Sequence, residues 1–411
     1  MLILVINCGS SSAKYDLFDI TKGSSDIGRG VVERIGEEVS ILRYTSKGNP
    51  EVETEVRCFD HHGAIEIIKE TLMDKEIGVL NDLKDVAGVG HRVVHGGEEF
   101  NKSTTITDEV IESIEKFSEL APLHNPPSLE GIRSCMKILE GVPQVAVFDT
   151  AFHQTMEERT FCYGVPYELY KKYGIRRYGF HGTSHRFVSL KAAEVLGKPV
   201  SDVNVITAHL GNGCSMAAIR GGKSVDTSMG FTPLEGLLMG TRSGDIDPAV
   251  VTFLMQRENL GPEEINDLLN KKSGLLGVSG ISNDMRDILK ARKEGNKRAK
   301  LAYDMFVYRI KKYIGAYTAV LGSVDAVVFT AGIGEKVAEI RDSIEKDLRF
   351  LSAGGTEFLT ISTNEEFLIA QDTYKIVNDI TNGGEGSAIK GIAAWINKIK
   401  FLIRKKQNKD K

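Results

Sequence analysis

Histidine, arginine and aspartate set among glycines are the residues of this chain equipped for chemistry. Their densest grouping is Arg177-Tyr178-Gly179-Phe180-His181-Gly182-Thr183-Ser184-His185. An aromatic ring, two histidines and two glycines stand there where a helix is expected to begin. A histidine beside Gly-Thr-Ser at a strand-to-helix turn brings a donor side chain and backbone N–H groups to one point, which suits a developing negative charge. Taken alone, the stretch reads equally as a capped helix start.

Five further turns follow apolar runs. Asn7-Cys8-Gly9-Ser10-Ser11-Ser12-Ala13-Lys14 offers hydroxyls, backbone donors and a point charge to phosphate oxygens, or else is a Ser-rich hairpin; the Walker A spacing is absent. In Gly90-His91-Arg92-Val93-Val94-His95-Gly96-Gly97, Arg92 is suited to bidentate capture of a carboxylate or phosphate, or to a structural ion pair. Asp149 in Phe148-Asp149-Thr150-Ala151-Phe152-His153 reads as catalytic or as a helix N-cap. His209-Leu210-Gly211-Asn212-Gly213 lets backbone approach a ligand, or is a hairpin turn. Ala331-Gly332-Ile333-Gly334-Glu335 is like a nucleotide-cradling turn, on weak evidence. A loop, Met239-Gly240-Thr241-Arg242-Ser243-Gly244-Asp245, presents Arg242. Phosphoryl transfer needs this inventory, since its catalysis is mostly positioning and charge neutralisation. No covalent nucleophile stands beside a base, and no protein-only metal site is evident. His61-His62, opening an amphipathic helix, is expected to be solvated.

Strand-like runs at 2–7, 86–94, 144–149, 203–209 and 325–330 must position these turns. Helical patterns lie between them, most clearly at 296–322. There Leu301, Phe306, Ile310, Tyr313, Ile314, Tyr317 and Leu321 share a face, with Lys311 and Lys312 on the other side. The alternation indicates an α/β architecture with ligands beyond the carboxyl ends of strands, which favours an enzyme. With 411 residues, 41% hydrophobic and 26% charged, about two globular domains are expected. A net charge of −4 argues against nucleic-acid binding by bulk electrostatics. The five scattered cysteines read as reduced thiols of a cytosolic protein, and the run Leu2–Ile6 is too short for a signal peptide or membrane span.

These motifs, with Leu120-Ala121-Pro122-Leu123-His124-Asn125-Pro126, resemble the acetate and propionate kinase family over residues 1 to about 350 and again over 363–373. The resemblance implies two related ribonuclease H-like domains of the actin, Hsp70 and sugar-kinase type, with an active-site cleft between them. One is 1–150 plus a returning segment from about 366 to 411; the other, 151–365, binds nucleotide and dimerises. The implied reaction is reversible, direct in-line transfer of the ATP γ-phosphoryl group to acetate. It uses Mg²⁺ (or Mn²⁺), with ATP/ADP as co-substrate, in a cytoplasmic homodimer.

Residue by residue, Asn7 and Glu365 match metal positions, and Ser10, Ser12 and Lys14 the phosphate-binding turn. His209, Leu210, Gly211, Asn212 and Gly213 match nucleotide contacts. So do Asp284, Met285 and Arg286, and also Gly332, Ile333, Gly334, Glu335 and Lys336. Arg92 matches the group that holds the substrate carboxylate, Asp149 a catalytic residue, and His181 with Arg242 the pair that stabilises the transition state. Val94, Leu123, Phe180 and Pro233 match the pocket for the acyl methyl group. Acetate, with a carboxyl like that of glutamate at about 4.3, is already ionised at neutral pH, so Asp149 is expected to orient Arg92 or the metal shell rather than remove a proton.

Two departures stand out. Lys336 replaces a usual asparagine, and the segment 351–362 is short, with Gly354-Gly355 read as a trimmed turn. At the C-terminus Ile389, Ile392, Ala393, Ile396, Ile399 and Ile403 share a helical face beside lysines. That face is expected to pack on the first domain, with weak attachment to an anionic membrane as the alternative. A propionate or other short-acid kinase is the nearest rival function. A filament-forming or chaperone-like ATPase has no need of Arg92, His181 and Arg242 around a small pocket.

Overall fold

Branched apolar runs such as Leu2–Ile6 bury both faces of a strand, and each strand-like run of the sequence is a strand in the computed structural model. The structure describes residues 1–22, 25–122 and 124–381. The chain divides into one unit of Met1–His95, Ser103–Val147 and the chain from Glu366, and a second of Gly96–Lys102 and Phe148–Glu365.

The sheet of the first unit runs through β1 (Leu2–Gly9), β2 (Ser12–Asp19), β3 (Ser25–Glu33), β4 (Ser40–Ser46), β5 (Val52–Val56), β6 (Val86–Val93), β7 (Thr104–Thr105) and β8 (Gln144–Phe148). Its order is β5-β4-β3-β2-β1-β6-β8-β7, with β1 parallel to β6 and the β1–β5 meander antiparallel. Side chains of a strand alternate between faces. Ile3 and Val5 therefore pack with Val145, Val147, Ile369 and Ala370, while Leu4, Ile6 and Cys8 join Ile65, Ile68, Leu72 and Cys135. Helix Glu365–Thr381 thus covers one face, and helices His61–Leu72 and Asn125–Ile138 the other.

The second unit carries β9 (Asn204–Leu210), β10 (Cys214–Arg220), β11 (Lys223–Thr227), β12 (Ala326–Thr330) and β13 (Glu357–Thr360), in the order β11-β10-β9-β12-β13. In both units a three-strand antiparallel meander is followed by a parallel neighbour of its first strand: β3-β2-β1-β6 in one, β11-β10-β9-β12 in the other. The strands β2–β5, β10 and β11 were not evident from apolar runs, because several alternate polar and apolar residues or, like β5, lie exposed.

Helix Lys297–Leu321 is capped by Asn296, whose side chain accepts from the Ala299 N–H, and it buries Phe306, Ile310, Ile314, Tyr317 and Leu321. Leu301 departs from the expected face: it is 52% exposed. Tyr313 is half-buried and donates to Asp245 at 2.8 Å. The short segment after Phe350 retains a strand, β13, which pairs parallel with β12 after Gly354-Gly355. All five cysteines are free thiols. No helix among the described residues is long and apolar enough to cross a membrane. The apolar-basic segment containing Ile389 to Ile403 lies outside the described residues.

Candidate active site

In the first unit β1 and β2 form a hairpin whose turn is Ser10-Ser11, with Asn7 paired to Lys14 and Gly9 to Ser12. The Ser-rich stretch is therefore a two-residue hairpin turn, with Ser10 and Lys14 exposed and Asn7 and Ser12 half-buried. His61 corrects the sequence expectation: it is buried, not solvated, and its Nε2 lies 2.7 Å from the Gly9 carbonyl while Nδ1 lies 3.0 Å from Glu130. Its place in helix His61–Leu72, beside the Asp60 cap, brings that ring against the hairpin. His62 is exposed.

At the end of β6, Arg92 is half-buried between the buried His91 and Val93, and Val94 is 9% exposed. His91 is bonded to Gln144 at 2.7 Å, and burial pulls its pKa down to about 4. Leu123 lies outside the described residues.

In the second unit Asp149 is 1% exposed and follows β8. Its carbonyl accepts the Gly182 N–H at 3.0 Å, and a Cβ on Gly182 would stand 2.1 Å from that oxygen, so only glycine fits there. The helix runs from Gly182 to Val195, without a side-chain cap bond. Ser184 instead bonds to His209 Nδ1 and to Thr363, both at 2.8 Å. His181 sits at the cap in the left-handed region, φ 53°, a conformation a non-glycine residue adopts under strain.

Histidine rings and hydroxyls surround this cap. His181 stacks on His209 with centroids 4.2 Å apart, and its Nδ1 lies 2.8 Å from Ser215 Oγ. Ser215 also reaches His185 Nε2 at 2.7 Å, and His185 Nδ1 meets Thr207 Oγ1 at 2.7 Å. Behind them His153 bonds to the Phe180 carbonyl at 3.1 Å and to Ser224 at 2.8 Å, and burial lowers its pKa to about 4. Phe180 itself is 2% exposed.

The Arg242 loop meets the same place. A Cβ on Gly213 would lie 3.5 Å from Arg242 Nη1 and 3.6 Å from His181 Nε2, so the two side chains converge over Gly213. Arg242 is half-buried, and its hydrogen-bond partners are neutral: the Pro233 carbonyl at 3.4 Å and the Met239 thioether at 3.9 Å. Burial lowers its pKa, which is the cost of holding a cation there without a carboxylate. Gly211–Gly213 form the β9–β10 hairpin loop, tied to the Arg242 loop by the Gly240 N–H donating to the Asn212 carbonyl at 2.9 Å.

The other expected nucleotide residues fall into two caps. Asp284 accepts from the Arg286 N–H at 2.8 Å and pairs with the Arg286 guanidinium, which holds its carboxyl below the usual range; Met285 is buried. Gly332 to Lys336 lie in helix Ala331–Lys336 after β12. Glu335 uses its carboxylate internally, accepting from the Ala331 N–H at 2.9 Å and Ser362 at 2.7 Å, while Lys336 is exposed. Glu365 opens helix Glu365–Thr381.

Asn7 and Glu365 supply hard oxygen donors of the type magnesium takes. Among the described residues no group of three or more His, Cys, Asp or Glu gathers that could hold an ion. A metal shared with nucleotide phosphates and water needs only one or two protein donors of that type. Thr207 and Ser215 were not singled out in the sequence, and His61 was assigned to solvent. The strand hydroxyls look like ordinary strand residues; the i, i+4 spacing of His181 and His185 is the one sequence feature that could have led to them.

The sequence model of the Acetokinase family matches residues 2–389. An acetate kinase from Halothermothrix orenii is 56% identical over 397 residues, covering 92% of this chain and 100% of that one. An acetate kinase from Thermoanaerobacter pseudethanolicus is 54% identical over 401 residues, with 92% and 100% covered. The crystal structure of Porphyromonas gingivalis acetate kinase superposes with a TM-score of 0.87 at 46% identity, covering 92% of this chain and 99% of that one. A propionate kinase from Francisella tularensis gives a TM-score of 0.85 at 41% identity, with 91% and 99% covered.

Proposed function

The chain belongs to the Acetokinase family, and on that premise we propose how its residues divide the work of phosphoryl transfer. It is a phosphotransferase with a carboxyl acceptor: acetate and ATP exchange for acetyl phosphate and ADP. A carboxylate oxygen of acetate forms a bond to the γ-phosphorus as the bond to the β–γ bridging oxygen breaks, and ADP leaves with that electron pair. Acetate is ionised at neutral pH, so no base is required.

His181 and Arg242 act on the equatorial oxygens of the loose, metaphosphate-like transition state. The observation that carries this reading is their convergence over Gly213, with Arg242 half-buried against neutral partners. Arg92 holds the acetate carboxylate, and Asp149 orients Arg92 or the metal shell. Val94, Phe180 and Pro233 are assigned to the methyl group, as is Leu123 by its motif alone. Ser10, Ser12 and Lys14 receive phosphate. The turns at 209–213, 284–286 and 332–336 receive the nucleotide; for Asp284 and Glu335 the backbone is the available contact, because their carboxylates are engaged. Asn7 and Glu365 hold Mg²⁺, which when bound neutralises β- and γ-phosphate charge.

The homodimer and the cytoplasmic location belong to the same reading; sedimentation velocity and cell fractionation test them. The hydroxamate assay for acyl phosphate across C2–C4 acids, with ATP and Mg²⁺, tests the reaction. Acetate is expected to be preferred, because Val94 limits the pocket. A preference for propionate, the activity named for the Francisella tularensis relative, would move the reading to that acid.

A further inference from the structure

From the cap at His181 a line of alternating hydroxyl and imidazole groups runs inward that phosphoryl transfer, as derived above, leaves unused. Ser215 Oγ bridges His181 Nδ1 at 2.8 Å and His185 Nε2 at 2.7 Å, and Thr207 Oγ1 closes the line at 2.7 Å from His185 Nδ1. Thr207, Ser215 and His185 are each 0% exposed, so no water competes for these bonds. The two strands fix the hydroxyls: in the β9–β10 register Thr207 faces Ala217 and His209 faces Ser215. One turn of the Gly182 helix separates His181 from His185 and points both rings at Ser215.

Each hydroxyl and each neutral imidazole has one proton to give, so the donors along such a line must all point the same way. Burial, with His153 and His209 nearby, keeps His185 neutral. For a neutral His181 two arrangements are open. With protons directed inward, Thr207 gives its own to the Ala217 carbonyl at 3.5 Å, the long limit of a hydrogen bond, and a neutral His181 turns a lone pair toward Arg242 and Gly213. With protons directed outward, Thr207 donates to His185 Nδ1, His185 Nε2–H donates to Ser215, and Ser215 donates to His181 Nδ1. Little is lost at the inner end, and His181 presents Nε2–H on the Arg242 side. A phosphoryl oxygen there accepts that proton in a charge-assisted bond.

We propose that Thr207, His185 and Ser215 are positioning residues that fix His181 as the Nε2–H tautomer, making it a neutral donor to the transferring phosphoryl group. The proposal rests on the role given above to His181.

Two measurements test it. In ¹⁵N-histidine-labelled protein with ADP and Mg²⁺, long-range ¹H–¹⁵N spectra report the tautomer, and His181→Ala identifies the signal. The expected pattern is a protonated Nε2 and an unprotonated Nδ1; an Nδ1–H or imidazolium pattern at neutral pH overturns the proposal. In Ser215→Ala, kcat is expected to fall by about tenfold or more, the scale of losing the alignment of a preorganised donor, with KM for ATP and acetate unchanged. Loss of rate in His181→Ala but not in Ser215→Ala overturns the relay alone. Retention of rate in both variants overturns the reading of His181 on which it rests.

Discussion

At the scale of single residues, chemistry here depends on what glycine leaves out. Gly213 has no left-handed backbone requirement, and a methyl placed on it would meet Arg242 and His181 at ordinary contact distances of 3.5 and 3.6 Å. Gly213→Ala should therefore fold, with stability within about 0.5 kcal/mol of the parent in urea titrations. In the proposed site its methyl takes the space of a phosphoryl oxygen, so kcat in the hydroxamate assay should drop by about tenfold or more. Val94 makes the opposite case, a side chain that fills space. Val94→Ala should raise the ratio of kcat/KM for propionate over acetate by about tenfold, since one methylene is worth about 1–3 kcal/mol. His181 and Arg242 were legible because they interrupt glycine turns with charged or titratable side chains. Ser215 and Thr207 were not, because a hydroxyl on a buried strand carries no sequence signal until its partner across the fold is known.

At the scale of elements, the site depends on where β8 stops and the Gly182 helix starts. The Asp149 carbonyl receives the first N–H of that helix, so the turn after the strand and the cap that carries His181 move as one. Gly182→Ala should force these elements apart, because its Cβ would stand 2.1 Å from the Asp149 carbonyl oxygen. Overpacking of this kind costs about 1–3 kcal/mol, which chemical denaturation will read as a lower midpoint, accompanied by lower kcat. Strands β1, β6, β8, β9 and β12 and the long helix were legible from apolar runs and helical periodicity. The meanders were not: β4 alternates buried and half-buried residues, and β5 is an exposed edge. Leu301 failed as a core residue although its spacing fits, because periodicity defines a stripe and not where packing along that stripe ends.

At the scale of the whole molecule, both units bury histidines that must stay neutral. His91 and His95 in the first unit and His153 in the second are each pulled down from 6.5 to about 4 by burial, and His185 is depressed as well. Their folded pKa values lie below the unfolded one, so the unfolded chain binds more protons as pH falls. The stability is fully present above pH 6.5 and is lost as pH falls toward 4. Three such groups give a slope approaching about 4 kcal/mol per pH unit within that window, measurable by urea unfolding at stepped pH; a flat response would mean these rings are charged or solvated in the fold. In the proposed function the turns of the second unit stabilise a transferring phosphoryl group. Arg242→Ala, assayed for kcat and for ATP affinity by calorimetry, tests it most directly. The expected result is a fall in kcat of about 10²–10³ with ATP affinity nearly unchanged, as for removal of one preorganised donor to a transition state. Weakened ATP binding with unchanged kcat would contradict it.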